Sequence, residues 1–234
     1  MKFKIAILDS HPIQYNTPLF NYLASDPDID LTVYYCFFDE KGVNDLEFGK
    51  QIKWDIPLFD GYKYKILKNY SFRPSLYRFW GLVNIDIIRE LKKNDYDALI
   101  IYGWNHFTQL IAIIFAKILG IEVIIRGDNP LIHEHLKSKW KIRIKKVILR
   151  ILFEFVDVIL YVGYENNLFY KYYGVSEKKL IFAPHSVDND RFRNKFLELK
   201  DKKLLIKNEI GLSNKDFIIL FVGKLIDKKI QLIL

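Results

Sequence analysis

Residues 98–126 read Ala98-Leu-Ile-Ile-Tyr102-Gly-Trp-Asn-His106-Phe-Thr-Gln-Leu-Ile-Ala-Ile-Ile-Phe-Ala-Lys-Ile-Leu119-Gly-Ile-Glu122-Val-Ile-Ile-Arg126. Ala98–Tyr102 and Glu122–Ile125 are short apolar runs, and Phe107–Leu119 between them is a longer segment of helical length. A strand, a crossover helix and a second strand form the unit from which parallel sheets are built. Strands apolar on nearly every residue belong inside such a sheet, with helices over both faces.

The same alternation extends in both directions. Further strands are expected at Lys4–Leu8, Leu31–Phe38, Tyr62–Leu67, Val158–Val162, Leu180–Ala183 and Phe217–Val222. Helices are expected at Pro18–Ala24, Val83–Lys93, Lys137–Phe155, Asn166–Tyr173 and Glu198–Ile210. This order predicts an α/β fold, a Rossmann-like, doubly wound parallel sheet with right-handed crossovers. Ligands of such sheets bind beyond the carboxyl ends of the strands, so the loops after Leu8, Tyr102, Ile125, Val162, Ala183 and Val222 hold the candidate site. Asp39–Gly61 is the longest stretch without periodicity, a length that marks functional or mobile loops.

Phe217-Ile-Ile-Leu-Phe-Val-Gly223-Lys224 reads as a buried strand ending in a glycine turn, and Asp227–Leu234 as the start of a helix. That strand either closes the first sheet or opens a second domain. Residues 188–214 are polar and Lys-rich and read as a connection. The expected division is a domain over 1–190, a linker over 191–213, and the first strand and helix start of an incomplete second Rossmann-like domain over 214–234.

Half of the 234 residues are hydrophobic, enough for a sizeable core, and the formal charge is +8. The charge points to an anionic partner or, equally, to a compositional bias toward Lys. A single cysteine, Cys36, excludes an internal disulfide framework and a cysteine-rich metal site, and fits a reducing compartment. The opening Met1–Leu8 is too short and strand-like for a signal peptide. Leu110–Ile125 and Val147–Val162 are interrupted by charges and supply no run of roughly 20 apolar residues, so no membrane span is expected. The expected location is the cytoplasm.

The loop after the first strand, Asp9-Ser-His11-Pro-Ile-Gln14-Tyr-Asn-Thr-Pro18, lacks Gly-x-Gly-x-x-Gly at the one place where that motif has structural meaning. A nicotinamide or flavin cofactor is therefore disfavoured. An imidazole, an amide and hydroxyls before a helix N-terminus suit sugar hydroxyls or phosphate oxygens; alternatively His11 is a turn residue. Tyr102-Gly-Trp-Asn105-His106 and Arg126-Gly-Asp128-Asn-Pro130 follow two more strands. Arg126 there could pair with a phosphate or a carboxylate. His133-Glu-His135 spaces its imidazoles unsuitably for a metal, and Asp188-Asn-Asp190 reads as a helix N-cap.

Trp140, Ile144, Val147, Ile148, Ile151 and Phe155 recur at helical spacing, with Lys137, Lys139, Lys141, Arg143, Lys145, Lys146 and Arg150 around them. One reading is a core-packed helix with a solvated basic face. The other is peripheral contact of 137–150 with an anionic membrane, worth roughly 1 kcal/mol per basic residue near the surface. No groove-reading module is present, so no nucleic-acid partner is expected.

With these residues in place, the chain resembles the glycosyltransferases of family 4, which have the GT-B architecture of two facing Rossmann-like domains. His11–Phe20 is similar to the first-loop motif of one branch, and Trp54–Tyr62 to its second signature. Tyr172–Asp188 resembles the end of the N-terminal domain, and Phe221–Lys229 the opening of the donor-binding domain. The resemblance implies retaining transfer of a sugar from a nucleotide-sugar co-substrate to a glycan or lipid-linked acceptor, with no metal and no other cofactor. It implies that Gly223, Lys224 and Lys229 bind the donor diphosphate, with Lys224 where Arg is more usual. His11 and His106 are the candidate catalytic residues, and Gln14, Asn105, Arg126 and Asp128 the candidate acceptor-side cleft. The family's Glu-x7-Glu motif has no counterpart here, so the expectation is a truncated transferase of doubtful activity alone. The rival from another class is a non-catalytic acceptor- or membrane-binding module.

Overall fold

Most strands of the main sheet form where the apolar runs fall. The computed structural model describes residues 2–39, 43–45, 50–52, 56–134, 138–213 and 215–220, with 43–45 and 50–52 described by their backbone. Its strands are β1 (Phe3–Asp9), β2 (Ile29–Tyr35), β3 (Val43–Asp45), β4 (Lys50–Ile52), β5 (Lys63–Ile66), β6 (Ala98–Tyr102), β7 (Glu122–Gly127), β8 (Val158–Tyr161) and β9 (Leu180–Phe182). Its helices are α1 (Thr17–Ser25), α2 (Asp86–Asn94), α3 (Phe107–Ile118), α4 (Lys139–Glu154), α5 (Tyr164–Tyr172), α6 (Asn189–Leu199) and α7 (Lys203–Glu209).

Contacts divide the chain into two units, Met1–Asp39 with Trp54–Ser186, and Glu40–Lys53 with Val187–Leu234. In the first unit seven strands lie in the order β5-β2-β1-β6-β7-β8-β9, every neighbouring pair parallel. The chain builds outward from β1 to β5, returns, and builds the other way from β6 to β9. The order reverses between β1 and β6, the point where doubly wound sheets open a crevice at their carboxyl edge. Ile7 pairs with Ile100 there, and Ile101 with Ile125 one strand further on.

Both sheet faces are apolar because side chains alternate along each strand. Ala6 and Leu8 face one core with Leu99, Ile101, Val123, Ile125 and Ile159. Ile87 and Leu91 of α2, Ala112 and Ala116 of α3, Leu152 and Phe153 of α4, and Phe169 of α5 cover it. Ile7 faces a smaller core with Leu31, Val33, Tyr35 and Phe20 of α1. Burying side chains of this size stabilises by about 1.5–3 kcal/mol each.

α2 starts three residues later than the expected Val83, since Asn84 is committed to another bond set. Its buried amide nitrogen donates to the carbonyls of Cys36 (2.8 Å), Lys68 (3.0 Å) and Leu67 (3.2 Å). The Thr108 hydroxyl lies 2.9 Å from both Asn84 Oδ1 and the Leu82 carbonyl, and accepts from the Asn84 N–H at 2.8 Å. One amide thus ties the ends of β2 and β5 to α3.

Three expectations change. The stripe of α4 read as core-packed faces outward, and Leu149, Leu152 and Phe153 pack inward instead. The helix carries apolar residues on two sides, and periodicity alone does not say which side the sheet takes. The helix expected over Glu198–Ile210 is two helices, α6 and α7, joined by a 3-10 turn at Lys200–Lys202. α6 begins at Asn189 because the Asp188 carboxylate caps it, accepting from the Arg191 N–H at 2.9 Å. Much of the expected linker is therefore helical. Phe217–Leu220 are exposed and belong to no strand; among the described residues no neighbouring strand pairs with them. The rest of that expected strand and the helix after it lie outside the described residues. Within Asp39–Gly61, β3 and β4 pair antiparallel.

Candidate functional site

β1, β6, β7 and β8 end around one cavity of about 170 Å³. It sits at the reversal of strand order, where the crevice is expected. Asp9, the last residue of β1, forms part of its wall with Ser10, Tyr15 and Asn16. Tyr102 enters as the last residue of β6, Trp104 and Asn105 just after it, Arg126, Gly127 and Asp128 at the end of β7, and His185 from the loop after β9.

Asp9 is 1% exposed. Its carboxylate accepts from the Ser10 N–H at 2.7 Å and from the Asn16 side-chain amide at 3.0 Å. Burial outweighs these bonds and pushes its pKa up to about 7. A carboxyl that is half ionised near neutral pH, in a cleft wall, can accept and return a proton.

Arg126 is buried where β7 ends. Its guanidinium donates to the carbonyls of Ala183 (2.9 Å) and Pro184 (3.1 Å), and lies 6.0 Å from the Tyr102 ring centre. These bonds fix the loop that carries His185, whose ring meets Tyr15 edge-on at 6.0 Å. Arg126 thus lines the cavity with a cation while organising the wall opposite.

Two glycines shape the floor. Gly103 has φ +84°, a left-handed conformation, and its N–H donates to the Arg126 carbonyl at 2.8 Å. A Cβ on Gly127 would lie 2.7 Å from Trp104 Cζ3 and 2.8 Å from the Tyr170 hydroxyl, so only glycine permits this packing.

Of the residues expected at the site, Asn105, Arg126 and Asp128 line the cavity, Asn105 and Asp128 exposed at its rim. His11 and Gln14 are half-buried in the turn before α1 and do not line it. His11 Nδ1 lies 2.9 Å from the Ser10 hydroxyl. Desolvation, then the nearby His106 ring, pushes the His11 pKa down to about 4, so its imidazole is neutral at pH 7. His106 is buried at the N-cap of α3, where its backbone N–H donates to Gln109 Oε1 at 3.0 Å. Its ring Nε2–H donates to the Leu76 carbonyl at 3.0 Å, and the ring does not line the cavity. Gly223, Lys224 and Lys229 lie outside the described residues.

Sequence reasoning missed Asp9, Tyr15, Asn16, Tyr102 and His185. The available signal for Asp9 was an acidic residue directly after the apolar run Ile5–Leu8, at the carboxyl edge of a parallel sheet. Glu134, beside the His133 passed over as a metal ligand, is buried and takes the Lys145 ammonium at 2.8 Å and the Tyr173 hydroxyl at 2.5 Å.

No family model matches the chain, and no curated protein matches it either. Among solved structures it is similar to a UDP-N-acetylglucosamine 2-epimerase from Rickettsia bellii, at 13% identity and a TM-score of 0.47, over 91% of this chain and 52% of that one. It is also similar to MurG of Acinetobacter baumannii, at 10% identity and a TM-score of 0.43, over 77% of this chain and 45% of that one. A third likeness is to a W319Y mutant of FtsZ from M. jannaschii, at 15% identity and a TM-score of 0.39, over 94% of this chain and 60% of that one. The chain spans about half the length of the first two structures. None of these likenesses bears on what the chain does.

Proposed function

We propose that this chain carries the acceptor-side domain of a nucleotide-sugar-dependent glycosyltransferase, and that the cavity between the ends of β1 and β6 holds the acceptor hydroxyl. The observation that carries the reading is Asp9, a buried carboxyl at the end of β1 held by Asn16 in the wall of a crevice at the switch point. Around it stand groups that suit a sugar: the Tyr15 and Tyr102 rings as apolar walls, the Asn105 amide, and the Arg126 cation. The motif resemblance of His11–Phe20, Trp54–Tyr62 and Tyr172–Asp188 supports the same class.

In this reading the acceptor hydroxyl donates a hydrogen bond to Asp9. Its oxygen forms the bond to the anomeric carbon of the donor sugar as the bond to the diphosphate breaks. The donor's negative charge falls to Gly223, Lys224 and Lys229 by the resemblance, which also implies retention of configuration with no metal. Asp9 also admits a second outcome, because a base that takes the hydroxyl proton serves a single displacement, which inverts, as well as a retaining path. The anomeric configuration of the product, read by proton NMR, separates the two.

A glycan array probed with the wild-type chain tests the class. Selective binding of an oligosaccharide is expected, weakened at least tenfold by Asp9→Ala, with circular dichroism unchanged. Absence of binding across the array by the folded chain would contradict the proposal. A non-catalytic acceptor-binding module would show the same binding but no sugar transfer when nucleotide-sugars and the selected acceptor are supplied, whereas a transferase would show transfer that Asp9→Asn lowers. General acid–base groups contribute roughly 10²–10⁴-fold to turnover, which sets the scale expected of that variant if Asp9 takes the proton.

A further inference from the structure

α4 has two apolar sides. Leu149, Leu152 and Phe153 are buried against the core of the sheet. Trp140, Ile144, Val147, Ile148, Ile151 and Phe155 form a second stripe that faces away from it, each between 45% and 61% exposed. At 3.6 residues per turn these six positions span on the order of 100° of the helix surface. Exposed Lys139, Arg143, Lys146 and Arg150 run along one edge of the stripe, and exposed Lys141 borders the other. Glu154, at the end of the helix, is the only acidic residue in α4.

Contiguous outward apolar surface of this kind marks an interaction site. The charges around it choose the partner. A second copy of α4 laid on the first would set Lys and Arg edges against like charges, which costs affinity. A nucleic acid would use the cations and leave the stripe in water. An anionic bilayer satisfies both at once, with headgroup phosphates beside the basic edges and the stripe in the acyl boundary. Trp140 near the N-terminal end suits the headgroup level, where indole rings concentrate. Among the described residues no helix is long and apolar enough to cross a membrane, so the contact is with the surface.

We propose that α4 lies flat on an anionic membrane with this outward stripe inserted, so that the protein docks through hydrophobic contact as well as charge. The inference rests on the geometry of one helix and is independent of the sugar-transfer reading.

Co-sedimentation of the full chain with lipid vesicles tests it. The wild type is expected to pellet with vesicles rich in phosphatidylglycerol, and at least tenfold less with pure phosphatidylcholine, given several basic residues at the surface. The double variant Ile144→Asp/Ile148→Asp should lose binding to both, and Lys139→Glu/Arg143→Glu should lose the preference for anionic lipid. All four side chains are exposed, so circular dichroism and thermal melting should stay at wild-type values. Three results overturn the proposal: a folded wild type that stays in the supernatant with anionic vesicles, binding unchanged by the isoleucine pair, or a wild-type dimer in sedimentation velocity that this pair converts to monomer.

Discussion

At the scale of single residues, Asp9 has a consequence beyond the cleft. Its folded-state pKa of about 7 lies above the ordinary carboxylate value of 3.8, so the folded chain holds this proton more tightly than the unfolded chain does. The linked stability is fully present below about pH 4 and is lost as pH rises toward 7, amounting to as much as about 4 kcal/mol. Asp9→Asn removes the titration and keeps the side-chain shape, giving up one of the two acceptor oxygens that face the Ser10 N–H and the Asn16 amide, a loss that does not depend on pH. Relative to wild type, the variant is expected to gain stability as pH is raised from 4 to 8. Urea denaturation at both pH values measures this, and a difference between the proteins that does not change with pH would contradict the assignment. Asp157 runs the other way. Lys117 at 2.8 Å and the Val123 N–H at 2.8 Å hold its carboxyl below the usual range despite partial burial, so its contribution fades only as pH falls.

At the scale of elements, Asn84 joins pieces that the sheet alone leaves separate. Asn84→Ala would leave buried carbonyls of Cys36, Leu67 and Lys68 without their donor, and Thr108 Oγ1 without an acceptor in Asn84. Unmade buried bonds cost about 1–3 kcal/mol each, and partial compensation brings the expected loss to about 2–4 kcal/mol. Chemical denaturation reads this directly, and a loss under about 1 kcal/mol would show that the amide is not the tie described. The same residue shows where sequence legibility ends. The apolar run Ala98–Tyr102 announced its strand to the residue, because a central parallel strand is apolar on both faces. Asn84 sat inside an expected helix, and nothing local reveals that its amide is used by two strands. α4 was legible as a helix but not in its orientation, since both of its sides are apolar. Phe217–Leu220 looked like a strand by composition, yet pairing with neighbours, not composition, makes one.

At the scale of the molecule, the doubly wound order placed the cavity before any side chain was considered. Loops after Leu8, Tyr102, Ile125, Val162, Ala183 and Val222 were the expected site; the first five contribute to one cavity, and the last lies outside the described residues. What the sequence could not show was which residues in those loops face the cavity. His11 and His106 carried the chemistry on paper because imidazoles are conspicuous. In the fold the turn before α1 and the cap of α3 take both rings, while the end of β1 presents Asp9. Arg126 was identified as a cleft cation but also serves the loop holding His185, a double role invisible without the Ala183 and Pro184 carbonyls.

Where an acceptor sugar sits on the folded chain can be mapped residue by residue. Backbone amide shifts of the isotopically labelled chain, followed while titrating the oligosaccharide selected on the array, give that position. Perturbations are expected to concentrate at Ser10, Tyr15, Asn16, Asn105, Gly127 and Asp128, with none of comparable size in the Asp9→Ala variant. Perturbations confined to other surfaces, with the ends of β1, β6 and β7 unmoved at saturation, would contradict it.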